Sequence, residues 1–364
     1  MPPECRADHV GSLLRPTELL HARASATSKQ HLHEIEDECI IDAIRRQTEI
    51  GLDVLTDGEL RRRNFMSDFV DAVAGFDTEN SVARSWSGHR SSGSVSSVTG
   101  VVTSKLKQVA PLTGHEVPFL QAHVPGKFKV TLPSAIQFPA ISYKRGITDK
   151  IYPTPSDLLW EIVAIMKAEL QNLHSQGISY IQIDAPRYSY YIDPKWREWI
   201  RTEMSQDPEA ALKESVDADN ACFAAARKPG CTLAIHLCRG NNRSHWYAEG
   251  GYDAIAEQLF STLDVDRFLL EYDDERSGSF EPLRFVPRGK MVVLGLISSK
   301  QPKLEDKTEL IRRIREASRY VPLENLALSP QCGFASTAEG NLVSEDDQWA
   351  KLRLAVETAR EVWR

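Results

Sequence analysis

A single grammar recurs along this chain of 364 residues: a helical stretch, often a glycine, then a short apolar run. From about Leu158 to His174, apolar side chains return at Leu159, Ile162, Met166, Leu170 and Leu173, the spacing of one helix face. Gly177 then supplies a stop, and Tyr180-Ile181-Gln182-Ile183-Asp184 reads as a strand. The pattern repeats from Ile40 to Ile50, through Gly51, into Asp53-Val54-Leu55-Thr56. It returns at Ala254 to Leu263 before Phe268-Leu269-Leu270, and at Leu310 to Tyr320 before Leu326-Ala327-Leu328. Strands alternating with helices call for a parallel sheet, hence an α/β protein. There are about nine strand candidates, and eight close a (β/α)8 TIM-type barrel. Those eight begin near Ala7, Asp53, Phe128, Tyr180, Thr232, Phe268, Met291 and Asn325. The ninth, Val117-Pro118-Phe119-Leu120, sits near the serine-rich stretch Ser81 to Thr99, so a β-hairpin excursion is expected around residues 80–125, outside the barrel. The whole chain, 1–364, is then one domain. A doubly wound open sheet is the competing architecture, but it gathers its ligands at one switch point. Here polar strand ends are spread along the chain.

Composition narrows the partners. Hydrophobic content of 41% suffices for a full core, and 26% charged residues suits a soluble surface. The net charge of -7 argues against nucleic acid or an acidic membrane surface. No apolar run reaches the roughly 18 residues a spanning helix needs. The start Met1-Pro2-Pro3-Glu4-Cys5-Arg6 lacks the basic-then-apolar pattern of a signal peptide. Six cysteines without regular spacing point to a reducing compartment, and the cytoplasm is the expectation. Homo-oligomerisation is left open.

Chemistry gathers at strand ends. Ala-Ile-His236-Leu-Cys238, Phe-Leu-Leu-Glu271 and Leu-Ala-Leu-Ser-Pro-Gln-Cys332 each finish on a possible soft-metal ligand. A barrel presents reactive groups in this way, from the C-terminal ends of its strands. One imidazole, two thiolates and one carboxylate form a set that zinc binds tetrahedrally. His236 and Cys238 are two apart on one strand, so both face the same side. Zinc removes a thiol's proton at neutral pH, whereas a free thiol titrates near 8.5. Glu271 is the ligand suited to yield its place to an incoming sulfur. A purely structural zinc is the alternative, but structural sites favour close pairs such as C-x2-C. Cys5, Cys39, Cys222 and Cys231 carry no such context.

On His9-Val10-Gly11-Ser12, Asp57-Gly58-Glu59, Ile181-Gln182-Ile183-Asp184, His236-Leu237-Cys238, Leu270-Glu271 and Pro330-Gln331-Cys332-Gly333, the chain resembles the cobalamin-independent methionine synthase family, specifically its catalytic C-terminal barrel and free-standing relatives. The resemblance implies zinc held by His236, Cys238, Glu271 and Cys332, and homocysteine held by Ser12, Glu59 and Asp184. Carboxylates at strand ends suit an ammonium group; capping a following helix is the other use for Glu59 and Asp184. The chain departs from the family in three places. It has no second, N-terminal barrel; Leu132-Pro133-Ser134 stands where the family has Thr-Gly-Pro; and Ser298, near Gly295 to Ser299, replaces a histidine that serves proton transfer. A hydroxyl is a poor general acid at neutral pH. His245 is the substitute, in the loop Arg239-Gly240-Asn241-Asn242-Arg243-Ser244-His245-Trp246, where Arg239 and Arg243 are suited to a carboxylate or phosphate. Arg187, Tyr188, Tyr190 and Tyr191 offer an aromatic wall for an organic donor. The expected function is zinc-dependent methyl or alkyl transfer to a small-molecule thiol, homocysteine to methionine, from a donor that need not be a folate. The alternatives are alkyl transfer or lyase chemistry on another small substrate, or a zinc protein without turnover.

Overall fold

The computed structural model describes residues 5–25, 28–80, 83–88, 92–96 and 99–363. Its first strands stand apart from the main sheet. β1 (Val73–Asp77) pairs antiparallel with β4 (Val101–Gln108), and between them β2 (Ala83–Ser87) pairs with β3 (Ser92–Ser96). Residues 81–82, 89–91 and 97–98 of the serine-rich stretch lie outside the described residues. The tip is anchored through Ser87, which exchanges backbone hydrogen bonds of 2.6 and 2.7 Å with Trp246.

The main sheet has six parallel strands in sequential order: β5 (Val130–Pro133), β6 (Tyr180–Asp184), β7 (Thr232–Leu237), β8 (Arg267–Glu271), β9 (Met291–Ile297) and β10 (Leu326–Pro330). The fold is therefore mixed α/β, with helices connecting parallel strands. The two segments expected as first and second strands make single parallel bridges, Ala7 to Leu328 and Leu55 to Phe128. Asp8 N–H donates to Leu328 O at 3.0 Å, Asp53 N–H to Ala7 O at 3.3 Å, and Lys129 N–H to Leu55 O at 3.0 Å. A thin hydrogen-bonded path thus runs from one edge of the sheet to the other.

The connecting helices end where their sequences say. Thr154 and Asp157 form a reciprocal capping box at the start of the helix Pro155–Ser175. Gly51, at φ 86°, supplies the left-handed cap of the helix Lys29–Ile50. Val117–Leu120 is a correction: it is not a strand but part of a helix, Val117–His123. Pro118 sits in the first turn, where its missing N–H costs nothing, and Val117 and Leu120 are buried three apart on one face. A four-residue apolar run has no periodicity to tell the two apart.

Period-two alternation splits the sheet's faces. Ile181, Ile183, Leu233, Ile235, Phe268, Leu270, Val292 and Leu294 pack under the helices in the largest core. The opposite face begins with a small apolar cluster including Tyr180, Ala234, Leu269, Val293 and Ala327. Above it lies a buried polar layer. Lys129 Nζ donates to Asp8 Oδ1 and Gln182 Oε1, both at 2.7 Å, and also to the His9 carbonyl, while Tyr180 OH donates to Asp8 Oδ2 at 2.7 Å. Gln182 Nε2 then reaches Asp184 Oδ1 at 2.7 Å, linking this layer to the strand ends.

Candidate metal centre and active-site cavity

His236 and Cys238 leave the end of β7 on one face, and Cys332 follows β10. Their ligand atoms all lie within 4.8 Å of one another, and all three residues are buried. Cys238 and Cys332 Sγ are 3.9 Å apart. Two Zn–S bonds of about 2.3 Å at the tetrahedral angle require roughly 3.8 Å. The imidazole is oriented as a ligand should be: Nδ1 lies 3.2 Å from the Leu269 carbonyl, so it donates there and Nε2 is the lone-pair nitrogen. That Nε2 is buried with no hydrogen-bond partner. The donor set and its orphaned nitrogen fit zinc.

The two thiols are in hydrogen-bond contact. The hydrogen bond between the two sulfurs holds Cys332 well below the usual thiol range, helped by His236 and Lys300, while the same contact and burial push Cys238 well above it. Burial works against a charge on His236, yet contact with Cys332 raises it on balance.

Glu271, fully buried at the end of β8, stands beside this group rather than within it. Its Oε2 accepts the Arg239 N–H at 2.7 Å. Oε1 lies 3.3 Å from Arg276 Nη1 but has no hydrogen bond. One carboxylate oxygen is thus anchored by a backbone N–H, and the other faces the Arg276 guanidinium.

The three ligands open into a cavity of about 570 Å³ whose lining includes Ser12, Glu59 and Asp184. Glu59 adopts a left-handed backbone at φ 55°, uncommon for a residue with a side chain, just after Gly58 at φ 70°. Asp57 steadies the turn, Oδ1 accepting the Glu59 N–H at 2.7 Å. Glu59 Oε1 accepts from Thr131 Oγ1 at 2.8 Å, and Oε2 is buried without a partner. Burial raises the Glu59 pKa, against the pull of Arg62 and Arg15. Asp184 is paired in register with His236 on the next strand, and burial pushes its pKa up to about 7. Ser12 is held close to the Cys332 loop: a Cβ on Gly333 would overlap its hydroxyl. Two buried carboxylates beside a soft-metal group can receive an ammonium and a thiol from one small molecule.

Other expected residues take different places. Arg243, at φ 50°, does line the cavity. Arg239 does not: its fully buried guanidinium donates to Gly250 O at 2.7 Å and Glu271 O at 3.2 Å and lies 4.1 Å over Tyr252. It leaves β7 on the helix-facing side, opposite to Cys238. His245 is also outside the lining; its Nδ1 contacts Arg243 O at 2.9 Å and its ring covers Gly88 at the tip of the excursion. Ser298 serves a turn instead, its Oγ accepting the Lys300 N–H at 3.3 Å and its N–H donating to Glu305 at 2.9 Å. The cation that sequence reasoning missed is Lys300. It is buried and donates to Gly240 O at 2.9 Å and Asn241 Oδ1 at 3.1 Å. It follows β9, three residues past the strand's end.

Comparison with known proteins identifies the family. The uncharacterized protein YxjH of Bacillus subtilis (strain 168) is 40% identical, over 99% of this chain and 95% of its own length. A methionine synthase of Sulfolobus acidocaldarius is 25% identical, over 88% of this chain and 81% of its own. The crystal structure of a putative vitamin-B12 independent methionine synthase from Listeria monocytogenes superposes with a TM-score of 0.73 at 29% identity, covering 99% of this chain and 98% of that one. The family model for the catalytic domain of cobalamin-independent synthases matches residues 11–361, and the chain belongs to that family.

Proposed function

We propose that the protein is a zinc-dependent methyltransferase that methylates the sulfur of homocysteine to give methionine. The observation that carries this reading is the unpartnered His236 Nε2 beside two sulfurs 3.9 Å apart, at the floor of a cavity that also holds Glu59 and Asp184. Bound zinc would supply a Lewis acid that keeps a thiol deprotonated at neutral pH. His236, Cys238 and Cys332 would hold it, with Glu271 beside them as the carboxylate that could join and leave. Glu59 and Asp184 take the amino-acid ammonium, with Ser12 beside them. The new C–S bond forms as the donor's bond to its methyl breaks; the electron pair stays on the donor, and the thiol proton goes to solvent. Arg239 acts as a positioning residue, because its N–H fixes Glu271 Oε2. His245 and Ser298 are assigned no proton transfer, since neither lines the cavity.

The sheet is read as a (β/α)8 barrel, with Arg6–Asp8 and Asp53–Leu55 as two very short staves completing the ring. A cytoplasmic location is part of the proposal: all six cysteines are unpaired, and no helix among the described residues is long and apolar enough to cross a membrane. The test is methionine formation from homocysteine by the zinc-loaded protein, with 5-methyltetrahydrofolate and methylcobalamin offered in turn. Methionine made by the wild type, and lost in Cys238→Ser, supports the reading. No methionine from either donor contradicts it.

A further inference from the structure

Three carboxylates converge on the buried guanidinium of Arg62. Nε lies 2.6 Å from Asp68 Oδ2, Nη2 donates to Glu116 Oε2 at 2.7 Å, and Nη1 lies 3.5 Å from Glu59 Oε1. Nη2 also donates to Thr131 O at 2.9 Å, so the fork is fixed on several sides. At the outer edge, His115 Nε2 is 3.6 Å from Asp68 Oδ2. Asp68, His115 and Glu116 have the spacing of metal ligands, but the Arg62 guanidinium is already the cation held by Asp68 and Glu116. Of the three carboxylates, only Glu59 lines the cavity, and neither Arg62 nor Thr131 does.

Between Arg62 and Glu59 stands the Thr131 hydroxyl, on β5. Arg62 Nη1 donates to Thr131 Oγ1 at 2.8 Å, and a guanidinium can only donate. The one hydrogen of that hydroxyl is then left for Glu59 Oε1, 2.8 Å away. The relay therefore has a single direction, and Oε1 is its final acceptor. Oε2, buried without a partner, is the oxygen left for a ligand. The backbone around this pair is fitted to it. Arg15 Nη2 holds the Glu59 carbonyl at 2.8 Å, and a Cβ on Gly11, at φ 141°, would stand 3.0 Å from Thr131 Cγ2 and 3.2 Å from Glu59 Oε1.

We propose that Thr131 is a positioning residue that makes the cavity distinguish a thiol carrying an amino group from one without it. This rests on the methyl-transfer reading, in which Glu59 receives the ammonium of homocysteine, and assigns the selectivity to a side chain that does not line the cavity. The hydroxyl acts as a spacer. Without it, Arg62 Nη1 loses an acceptor and Glu59 Oε1 loses a donor, and the two stand only 3.5 Å apart. Glu59 then closes on Arg62, and its charge is matched inside the protein rather than by an ammonium.

The test uses the zinc-loaded protein and calorimetric titration with two thiols, homocysteine and 4-mercaptobutanoate, which is homocysteine without its amino group. The wild type should bind homocysteine about tenfold or more tightly than 4-mercaptobutanoate. Thr131→Val should weaken homocysteine by about tenfold and leave 4-mercaptobutanoate within about twofold. Thr131→Ser, which keeps the hydroxyl, should recover most of the loss. Thr131→Ala should show the same selective loss and decides the question if the valine variant does not fold, because Arg62 keeps Glu116 and the backbone carbonyl at that position as acceptors. Equal weakening of both thiols, no change in either, or a wild type that does not prefer homocysteine each overturns the proposal. Methionine formation alongside equal weakening would remove the role of Thr131 and keep the methyl-transfer reading. A selective loss in a protein that forms no methionine would do the reverse.

Discussion

The site depends on close approaches that single atoms can break. Gly333 is the clearest: with a Cβ overlapping the Ser12 hydroxyl, Gly333→Ala must push Ser12 or the Cys332 loop aside. The expected cost is about 1–3 kcal/mol of stability, read in a denaturant titration, together with weakened zinc binding. Glu59 gives a second prediction. Glu59→Gln keeps the shape and the Thr131 hydrogen bond but loses the charge facing an ammonium. KM for homocysteine should rise by about 10- to 100-fold with a smaller change in kcat, measured by steady-state methionine formation. At this scale the grouping of His236, Cys238 and Cys332 as candidate ligands was legible in the sequence, because they carry soft donors at or just past strand ends. The loop after β7 was legible only in part: Arg243 lines the cavity as expected. Arg239 and His245 follow the ligands directly, but a loop's backbone turns decide where each side chain points, and neither turns into the cavity. Arg187 was legible only as a neighbour of aromatics; that its Nη1 is buried with no hydrogen-bond partner among the described residues is a three-dimensional fact.

Elements are pinned to each other by buried polar contacts. Asp219, on the helix Pro208–Ala226, accepts from Ser134 Oγ at 2.6 Å and Tyr188 OH at 2.9 Å, joining that helix to the segments after β5 and β6. Burial pushes its pKa up to about 7, against both hydrogen bonds. The folded state therefore holds a proton there that the unfolded chain, titrating near 4, releases earlier. The carboxyl's contribution is fully present below about pH 4, declines as the pH rises toward 7, and is flat above. Asp219→Asn cannot ionise, so relative to the wild type it should be more stable at pH 8 than at pH 5, by about 1–4 kcal/mol in paired urea titrations. Equal differences at both pH values would contradict this. The long helices and the buried parallel strands were readable from period and glycine stops. Val117–Leu120 was not, because four apolar residues fit either element and Pro118 marks a helix start as readily as a strand edge.

Across the whole molecule, the candidate metal ligands come from strands that are not neighbours. β7 and β10 are separated in the sheet by β8 and β9, so His236 and Cys238 meet Cys332 across its inner face. Zinc would tie these strands together from one side, and a tight ligand stabilises whatever fold it selects. Chelation should lower the melting temperature by several degrees while the far-ultraviolet circular dichroism stays that of the folded protein, since the cores under the helices do not involve the metal group. The alternating pattern pointed to a parallel α/β sheet, but two of the eight expected strands are reduced to single bridges at Ala7 and Leu55. Zinc K-edge X-ray absorption of the loaded protein, recorded before and after adding homocysteine, is the decisive experiment. One zinc is expected with two sulfur ligands, at least one nitrogen and an oxygen, gaining a third sulfur when homocysteine is added. Failure to bind zinc, or a shell that homocysteine leaves unchanged, would contradict it.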